Sequence, residues 1–235
     1  MTSLRWEVRG PYDVAFTTRT GGVSDGPYAS LNLGRKTGDD VDRVDENRRR
    51  ACAEIGADVE HLALNYQLHS ALVHRARPGA RGEPGDGLWT DEPDLPILAL
   101  SADCLPIALA RVNGDRPAVA VVHAGWRGLL SKIAESAVAA LGGGALAAAI
   151  GPAIGPCCYE VQDDVADPFR VRFGREVVTA GRLDLWRAAE KALRDAGVTH
   201  VERFDLCTSC HPELFFSHRR DGKPRGVQGV LARVA

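Results

Sequence analysis

The chain has 235 residues, which is enough for one large domain with a full hydrophobic core. Hydrophobic residues make up 45% of it, charged residues 26%, and the formal net charge is -2. This balance is typical of a globular protein. It argues against nucleic-acid or membrane-surface partners, which select a basic excess, and it gives no indication of oligomeric state.

The N-terminal residues, the apolar run near the middle and the cysteines together predict a cytoplasmic protein. The first ten residues, MTSLRWEVRG, lack the basic-then-apolar pattern of an export signal. The apolar run at residues 118–123 is far too short to span a bilayer. We therefore expect a reducing compartment, in which the six cysteines are thiols or metal ligands and not disulfides.

Short apolar runs predict the strands. They lie at residues 14–18, 61–69, 97–101 and 118–123, with weaker candidates at 147–150 and 201–206. Between 61–69 and 97–101, residues 76–87 (ARPGARGEPGDG) are rich in Gly, Pro and charge and predict a surface loop.

Helical periodicity predicts three helices, at residues 41–55, 129–141 and 184–196. Asp39 or Asp40 is a suitable cap for the first, Gly56 ends it, and Gly197 ends the third. Strands interleaved with helices favour one α/β or α+β domain.

Three of the strand segments run into a residue that binds soft or borderline metals. They end at His69, Cys104 and His123. If the strands are neighbours in one sheet, these ends lie together, and sheets commonly carry their sites there. Two imidazoles and one thiolate suit Zn(II), and three protein ligands leave a fourth position for water or substrate. Each residue also has a plain alternative: a surface or core histidine, and a buried cysteine acting as a small hydrophobe.

The segment after the third strand, HAGWRG at residues 123–128, places two glycines and Arg127 between a strand and a helix. Backbone N–H groups at a helix start attract anions, and a guanidinium binds phosphate or carboxylate as a fork. The alternative is a tight turn with Arg127 exposed to solvent.

Many motifs together resemble one family. They occur in order along nearly the whole chain: TTRTGGVS, LNLG, ENR, QLH, ADCLP, HAGWRG, IGPAIGPCCYEV, CT and FFSHRRDG. The chain resembles the laccase-domain family, also called multicopper polyphenol oxidase-like or peptidoglycan editing factor-like proteins.

The resemblance implies a fold, a metal and an activity. It implies an α+β fold, a layered α/β/β/α sandwich with mixed sheets, as a single domain over residues 1–235. It implies zinc bound by His69, Cys104 and His123. It also implies zinc-dependent purine nucleoside phosphorylase activity on a nucleoside and phosphate, with adenosine deaminase and methylthioadenosine phosphorylase activities as further expectations. Copper is disfavoured, because a multicopper oxidase needs more ligands than seven scattered histidines supply.

One departure from the family pattern concerns an arginine. The family usually continues after the FFSHRRDG-like segment with Gly-Arg-Gln, whereas this chain has Gly226-Val227-Gln228, with Arg225 displaced. Any ligand role of that arginine is therefore in doubt.

Polar residues in the matching motifs are the candidates for substrate binding. Arg19, Arg127 and Arg219 are expected to hold phosphate, and Asn32 to bind ribose or base. Asp103 is a candidate acid/base or a residue that orients a ligand. If Cys104 and Asp103 lie in one strand, their side chains point to opposite faces, which favours a structural hydrogen bond for Asp103.

A rival hypothesis gives the same residues other roles. In a metal-free hydrolase, Cys104 is the nucleophile, His123 the base, and HAGWRG an oxyanion site. Such an enzyme could act as an amidase that edits peptidoglycan precursors, as one family name suggests. A further rival is a non-enzymatic protein with a structural zinc closed by a fourth ligand, for which Cys157, Cys158 or His218 is available.

The remaining cysteines leave several interpretations open. Cys207-Thr-Ser-Cys210-His211 has the C-x-x-C-H form of a haem attachment site, but that attachment normally occurs outside the cytoplasm. A redox dithiol, half of a structural zinc site and an incidental Cys210 are the other interpretations. The loop with Cys157 and Cys158 could approach the three-residue site.

Overall fold

A computed structural model describes residues 3–113 and 116–235. In the part it describes, two six-stranded mixed sheets pack face to face, and helices cover both outer faces. This is the α/β/β/α layered sandwich that the resemblance implies.

The first sheet is antiparallel except at one edge, where its last strands are parallel. In spatial order it contains β1 (Ser3–Arg5), β2 (Tyr12–Thr17), β14 (Gln228–Val234), β7 (Ile97–Ser101), β3 (Ala63–Tyr66) and β5 (Arg81–Pro84). The predicted strand at 97–101 is confirmed, and those at 14–18 and 61–69 form over shorter or shifted ranges.

The second sheet is antiparallel at its centre and parallel at both edges. In spatial order it contains β13 (His200–Arg203), β10 (Leu146–Ile150), β8 (Leu105–Arg111), β9 (Val119–Ala124), β6 (Gly87–Thr90) and β4 (Val73–Arg75). A small hairpin, β11 (Val178–Thr179) with β12 (Arg182–Leu183), stands apart.

Alternation along the strands builds the layers. On β8, Ile107 and Leu109 pack under the helices, whereas Ala108 and Ala110 face the other sheet. β10 repeats the pattern, with Ala147 and Ala149 between the sheets. Small side chains there let two sheets pack closely, and the larger ones fill the space beneath the helices.

The helices follow the predictions in two of three cases. α1 (Val41–Glu54) is capped by Asp40 and stops before Gly56, whose φ is +68°. α5 (Leu185–Asp195) is capped by Asp184. α1 covers the first sheet, and α5 packs on the second with α4 (Asp163–Phe173).

The helix predicted at 129–141 is wrong as one element. The chain forms α2 (Trp126–Leu130), then adopts a left-handed conformation at Lys132, then forms α3 (Ile133–Leu141). α2 begins directly after β9, so the chain has to turn at Lys132 before α3 can bury Ile133 and Ala137.

The loop predicted at 76–87 is wrong in part, because it contains β5 and ends at the start of β6. All four residues of β5 are exposed at the sheet edge, so no apolar pattern marks the strand. β8 was not predicted either; Pro106 at its second residue weakens a strand pattern, although the start of a strand tolerates it.

Candidate metal centre

Two sheets together supply the three expected ligands. His69 follows β3 of the first sheet, Cys104 lies between β7 and β8, and His123 lies in β9 of the second sheet. The idea that their strands are neighbours in one sheet is therefore wrong. They meet because the chain crosses from one sheet to the other at Cys104, and its neighbour Leu105 pairs with Ala124.

The donor atoms of the three residues lie close together. One donor atom from each falls within 4.8 Å of the others, and Cys104 Sγ is 3.9 Å from His69 Nε2. The imidazole rings of His69 and His123 meet edge to face, with centroids 4.8 Å apart. A Cβ on Gly125 would lie 2.9 Å from Cys104 Sγ, so this glycine of HAGWRG leaves the space that the donors need.

Left-handed backbone occurs on both sides of the site. His69 has φ of +61° and Asp103 has φ of +91°. Such residues typically cost about 1–3 kcal/mol each and persist only when their surroundings hold them. Here Asp86 accepts a bond from the His69 N–H at 3.0 Å, and Thr208 donates to Asp103 at 2.6 Å.

Asp86 organises the site from behind. Its Oδ1 accepts a hydrogen bond from His123 Nδ1 at 2.8 Å, and its side chain is completely buried. Its Oδ2 accepts from the N–H groups of Leu68 and Ser70 and from the Ser70 hydroxyl. One carboxylate thus fixes the ring of His123, turns its Nε2 toward Cys104, and holds the backbone of His69.

The ionised forms of Cys104, His123 and Asp86 stabilise one another. Burial opposes ionisation of Cys104, but the charge of His123 and hydrogen bonds from both histidines outweigh it and lower the pKa of the thiol to about 6. Burial also works against the charge of His123, yet Cys104 and Asp86 raise its pKa to about 9. Hydrogen bonds from His123 and Ser70 overcome the burial of Asp86 and keep its pKa well below the usual range. Without metal, both shifts favour the thiolate of Cys104 and the imidazolium of His123 at neutral pH.

A cavity of about 860 Å³ opens from the three donors. Eight cationic side chains and a single carboxylate, Asp103, are among the described residues that line it. The cations are Arg35, Lys36, Arg48, Arg81, Arg127, Arg219, Lys223 and Arg225. The aromatic rings of Tyr66, Trp126 and Tyr159 also line the cavity. Such a lining attracts an anion and offers flat surfaces to a ring.

Asp103 lies beside the cavity, but its oxygens are both engaged. Oδ1 accepts from the Thr208 hydroxyl and Oδ2 from the Arg219 N–H, each at 2.6 Å. The residue lies in the turn before β8 and not in a strand. It thereby ties α6 (His218–Asp221) to the backbone beside Cys104.

The four residues expected to bind substrate fall into two groups. Arg127 and Arg219 line the cavity; Arg127 stacks on Trp126 at 4.1 Å and Arg219 on Tyr159 at 5.2 Å. Arg19 instead donates to the carbonyls of Ala29 and Pro212.

Asn32, the fourth of these residues, is fully buried. It donates to Thr37 and Asp39 and accepts from the N–H groups of Gly34 and Val227. Its polar atoms are thus engaged within the protein.

The loop with Cys157 and Cys158 does not supply a fourth ligand here. Their thiols lie with those of Cys207 and Cys210 in a separate group. His218, the other residue considered, lines the cavity without joining the three donors within 4.8 Å. The three-residue site therefore faces open space in the part of the chain that the structure describes.

Sequence reasoning missed Asp86, Arg225 and the aromatic lining. Asp86 stands between two glycines at the end of the predicted loop, directly before β6, and this position was the only available signal. Arg225, which is displaced from the position that the family pattern gives its arginine, lines the cavity, and its Nε is buried without a hydrogen-bond partner among the described atoms.

The fold and the site together define a class: a layered α+β protein with a His–Cys–His donor set at the base of a cationic cavity. Residues 13–234 match the family described as multi-copper polyphenol oxidoreductase laccase, and the chain belongs to this family. The copper in that description does not identify the metal here. Of the seven histidines, all within the described residues, only His69 and His123 enter a donor group.

Curated relatives carry another name. The chain is 38% identical over 241 residues to purine nucleoside phosphorylase YlmD of Geobacillus stearothermophilus, covering 92% of this chain and 86% of that one. It is 34% identical over 218 residues to purine nucleoside phosphorylase YfiH of Escherichia coli, covering 87% of each.

Solved structures agree with the fold. The crystal structure of YlmD superimposes with a TM-score of 0.90 and 34% identity, covering 100% of this chain and 96% of the other. The crystal structure of a Bacillus licheniformis hypothetical protein YfiH gives 0.86 and 31%, covering 95% and 93%. Within the described residues, no helix is long and apolar enough to cross a membrane.

Proposed function

We propose that this protein is a zinc-dependent purine nucleoside phosphorylase, which exchanges the purine of a nucleoside for phosphate. The observation that carries the proposal is the His69–Cys104–His123 donor set opening into a cavity lined with cations and aromatic rings. The names of its relatives support the same activity.

The donor set fits Zn(II). His123 can offer Nε2 because Asp86 occupies its Nδ1, and Cys104 is held as a thiolate. Borderline nitrogen and soft sulfur donors suit zinc, and three protein ligands are the number found in catalytic sites. Bound there, zinc would supply Lewis acidity at the base of the cavity.

Arginines are the proposed phosphate holders. Arg225 has an unpartnered Nε and lies close enough to Asp103 for their charges to interact. Arg127 and Arg219 present guanidinium groups stacked on rings, which limits their freedom and prepares them for a bidentate contact. We assign Arg19 and Asn32, proposed from sequence, to support of the loops around the site, because neither is among the residues that line the cavity and both donate to groups within the protein.

Aromatic and aliphatic walls suit the nucleoside. The cavity volume lies within the usual range of about 300–1,000 Å³ for small-molecule sites. Trp126 and Tyr159 offer faces for a purine. Burial raises the pKa of Tyr159 to about 12, so its hydroxyl is a donor at neutral pH. Leu64, Leu100 and Ile154 add apolar surface that could take the methylthio group of methylthioadenosine.

The reaction forms a bond between a phosphate oxygen and the sugar C1′ while the bond from C1′ to the purine nitrogen breaks, and the purine takes up a proton. The cations hold the phosphate and offset its charge, and the walls orient the sugar and exclude water. Asp103 positions Arg219 and the Cys104 turn, and we do not assign it as the acid or base.

A single assay tests the activity. The protein is incubated with adenosine, inosine, guanosine or methylthioadenosine, with and without phosphate, and the products are separated by chromatography. We expect free base and sugar phosphate in equal amounts, only with phosphate. Inosine formed from adenosine would support the additional deaminase activity. Base release without phosphate, or no turnover of any of these nucleosides, would refute the proposal.

A second candidate is a cysteine hydrolase, with peptidoglycan precursors as its substrates. The observation favouring it is the chain Asp86–His123–Cys104, in which a carboxylate orients an imidazole beside a thiolate. Iodoacetamide separates the two candidates. If Cys104 is a free nucleophile, iodoacetamide alkylates it in the protein as purified and the enzyme loses activity. If Cys104 is bound to zinc, it is protected until a chelator removes the metal.

A further inference from the structure

Four cysteine thiols converge on the face that carries the loop after β10, outside the three-residue site. They belong to Cys157, Cys158, Cys207 and Cys210, and their sulfur atoms all lie within 4.8 Å of one another. Cys210 Sγ is 3.5 Å from Cys157 Sγ and 3.4 Å from Cys158 Sγ. The proposed phosphorylase reaction makes no use of them.

The topology of the second sheet brings the two pairs together. β10 and β13 are parallel neighbours, so their carboxyl ends lie side by side. The pairing continues past the strands, where Ala153 bridges Cys207 and the Thr208 N–H donates to the Ala153 carbonyl at 2.9 Å. The cluster is thus fixed by backbone contacts and not only by the side chains.

The Cys207–Cys210 turn has the form of one half of a thiolate metal site. Two residues separate its cysteines, as in many structural zinc sites. The Gly155 N–H donates to Cys207 Sγ at 3.3 Å, and the N–H groups of Ser209 and Cys210 also interact with that sulfur. Backbone donors of this kind stabilise a thiolate.

Distances favour one ion over paired thiols. Four thiolates about 2.3 Å from one tetrahedral zinc lie about 3.8 Å apart. The distances of 3.5 and 3.4 Å from Cys210 Sγ are close to this value, and all four sulfur atoms lie within 4.8 Å of one another. Two disulfides would need two sulfur pairs at about 2.05 Å, whereas the four cysteines are free thiols and Cys210 Sγ lies 3.5 and 3.4 Å from its two neighbours. A single ion accounts for all four thiols.

We propose that Cys157, Cys158, Cys207 and Cys210 form a closed structural site for one Zn(II). Four sulfur donors select zinc over calcium or magnesium, and four protein ligands leave no position for substrate.

The cluster bears on the catalytic cavity through its neighbours. Tyr159, which follows Cys158, lines the cavity. Thr208, which follows Cys207, donates to Asp103 and accepts at its carbonyl from Arg220. An ion that joins the two cysteine pairs would therefore hold one wall of the cavity in place.

The first test is metal content. Protein purified in reducing buffer without chelator is measured by mass spectrometry of the elements, as wild type, Cys157→Ser, Cys210→Ser, Cys104→Ala and Cys52→Ala. Cys157 and Cys210 are exposed, so serine there leaves core packing intact. Cys52 is a buried thiol in α1, outside both donor groups, and serves as the control.

We expect Cys157→Ser and Cys210→Ser each to lose one zinc per chain relative to wild type, while Cys52→Ala loses none. Cys104→Ala should keep this zinc, so the cluster is tested separately from the proposed catalytic metal. The melting temperature of Cys210→Ser should fall by at least about 5 °C.

Cobalt substitution gives the second readout. Four thiolates bound to Co(II) give much stronger sulfur-to-metal absorption than the single thiolate of the other site, and this absorption should persist in Cys104→Ala and vanish in Cys210→Ser. Unchanged zinc in both serine variants, iron in place of zinc, or a metal-free protein with these thiols oxidised would overturn the proposal.

Discussion

The two donor groups of this chain differ in what surrounds them. His69, Cys104 and His123 are backed by the buried carboxylate of Asp86 and face a cavity of about 860 Å³ lined by eight cations. The four-cysteine group consists of sulfur alone and is tied together by two backbone segments. Three protein donors with an open fourth position are typical of a catalytic metal site, whereas four protein donors around one ion are typical of a structural site. The surroundings of each group, more than the type of its donor atoms, therefore indicate which of the two roles we propose for it.

The largest predicted difference between the two groups is in the activity of two cysteine variants. Cys104→Ala should lower phosphate-dependent base release by more than about 100-fold, because even replacing a residue behind a metal ligand commonly costs about 10- to 100-fold. Cys210→Ser should lower this rate far less, because it affects the reaction only by loosening one wall of the cavity. Initial rates with inosine at saturating phosphate measure both. Equal losses in the two variants would remove the distinction between catalytic and structural sites.

The carboxylate behind the three-residue site can be tested next. Asp86→Asn keeps the shape but removes the charge that orients His123, and its amide would face the N–H groups that Oδ2 now accepts from. Zinc affinity of the three-residue site should fall about 10- to 100-fold in competition with a chromophoric chelator. Asp94→Asn makes the same change at a side chain that is 73% exposed. If both variants bind zinc alike, Asp86 has no part in the metal site.

The pH dependence of metal binding follows from the ion pair. With the pKa of Cys104 at about 6 and that of His123 at about 9, the metal-free pair holds one proton at neutral pH, on His123. Zinc must displace it, so apparent affinity should rise about tenfold per unit between pH 7 and 9 and level off above. Calorimetry in buffers of different ionisation enthalpy should show about one proton released. Affinity independent of pH in this range would contradict the ion pair.

The smallest predicted effect is a change in the KM for phosphate, which should differ between variants of two arginines. Arg225→Ala should raise the KM for phosphate about tenfold, which corresponds to about 1.4 kcal/mol, near the worth of one hydrogen bond to a charged group. Arg19→Ala should leave that KM unchanged and lower the melting temperature, because it loses bonds to Ala29 and Pro212. The reverse result would restore Arg19 to the phosphate site, as the sequence suggested.

The layered fold and the three donors could be predicted because several motifs in order carry them. The packing behind the donors could not. Asp86 lies in a stretch whose Gly and Pro content indicates a loop, and its role depends on contacts with residues 68–70 and 123 that no local pattern records. The division of α2 from α3 at Lys132, and the arrival of the donors from two sheets, depend likewise on tertiary packing.

The four-cysteine group could not be predicted from the sequence for a related reason. The vicinal pair Cys157-Cys158 and the pair Cys207 and Cys210 are about 50 residues apart, and each alone has several interpretations. Only the parallel pairing of β10 with β13 brings them together. The sequence shows all four cysteines, but no local pattern in it reveals the strand pairing that makes them neighbours.

The most direct test of the open site is X-ray absorption at the zinc edge of Cys210→Ser, in which we expect only the three-residue site to hold zinc. We expect two nitrogen ligands, one sulfur ligand and one light, exchangeable ligand that changes when phosphate and nucleoside are added. A second sulfur, or a fourth ligand that substrate leaves unchanged, would show that the site is closed and would contradict the proposed catalysis.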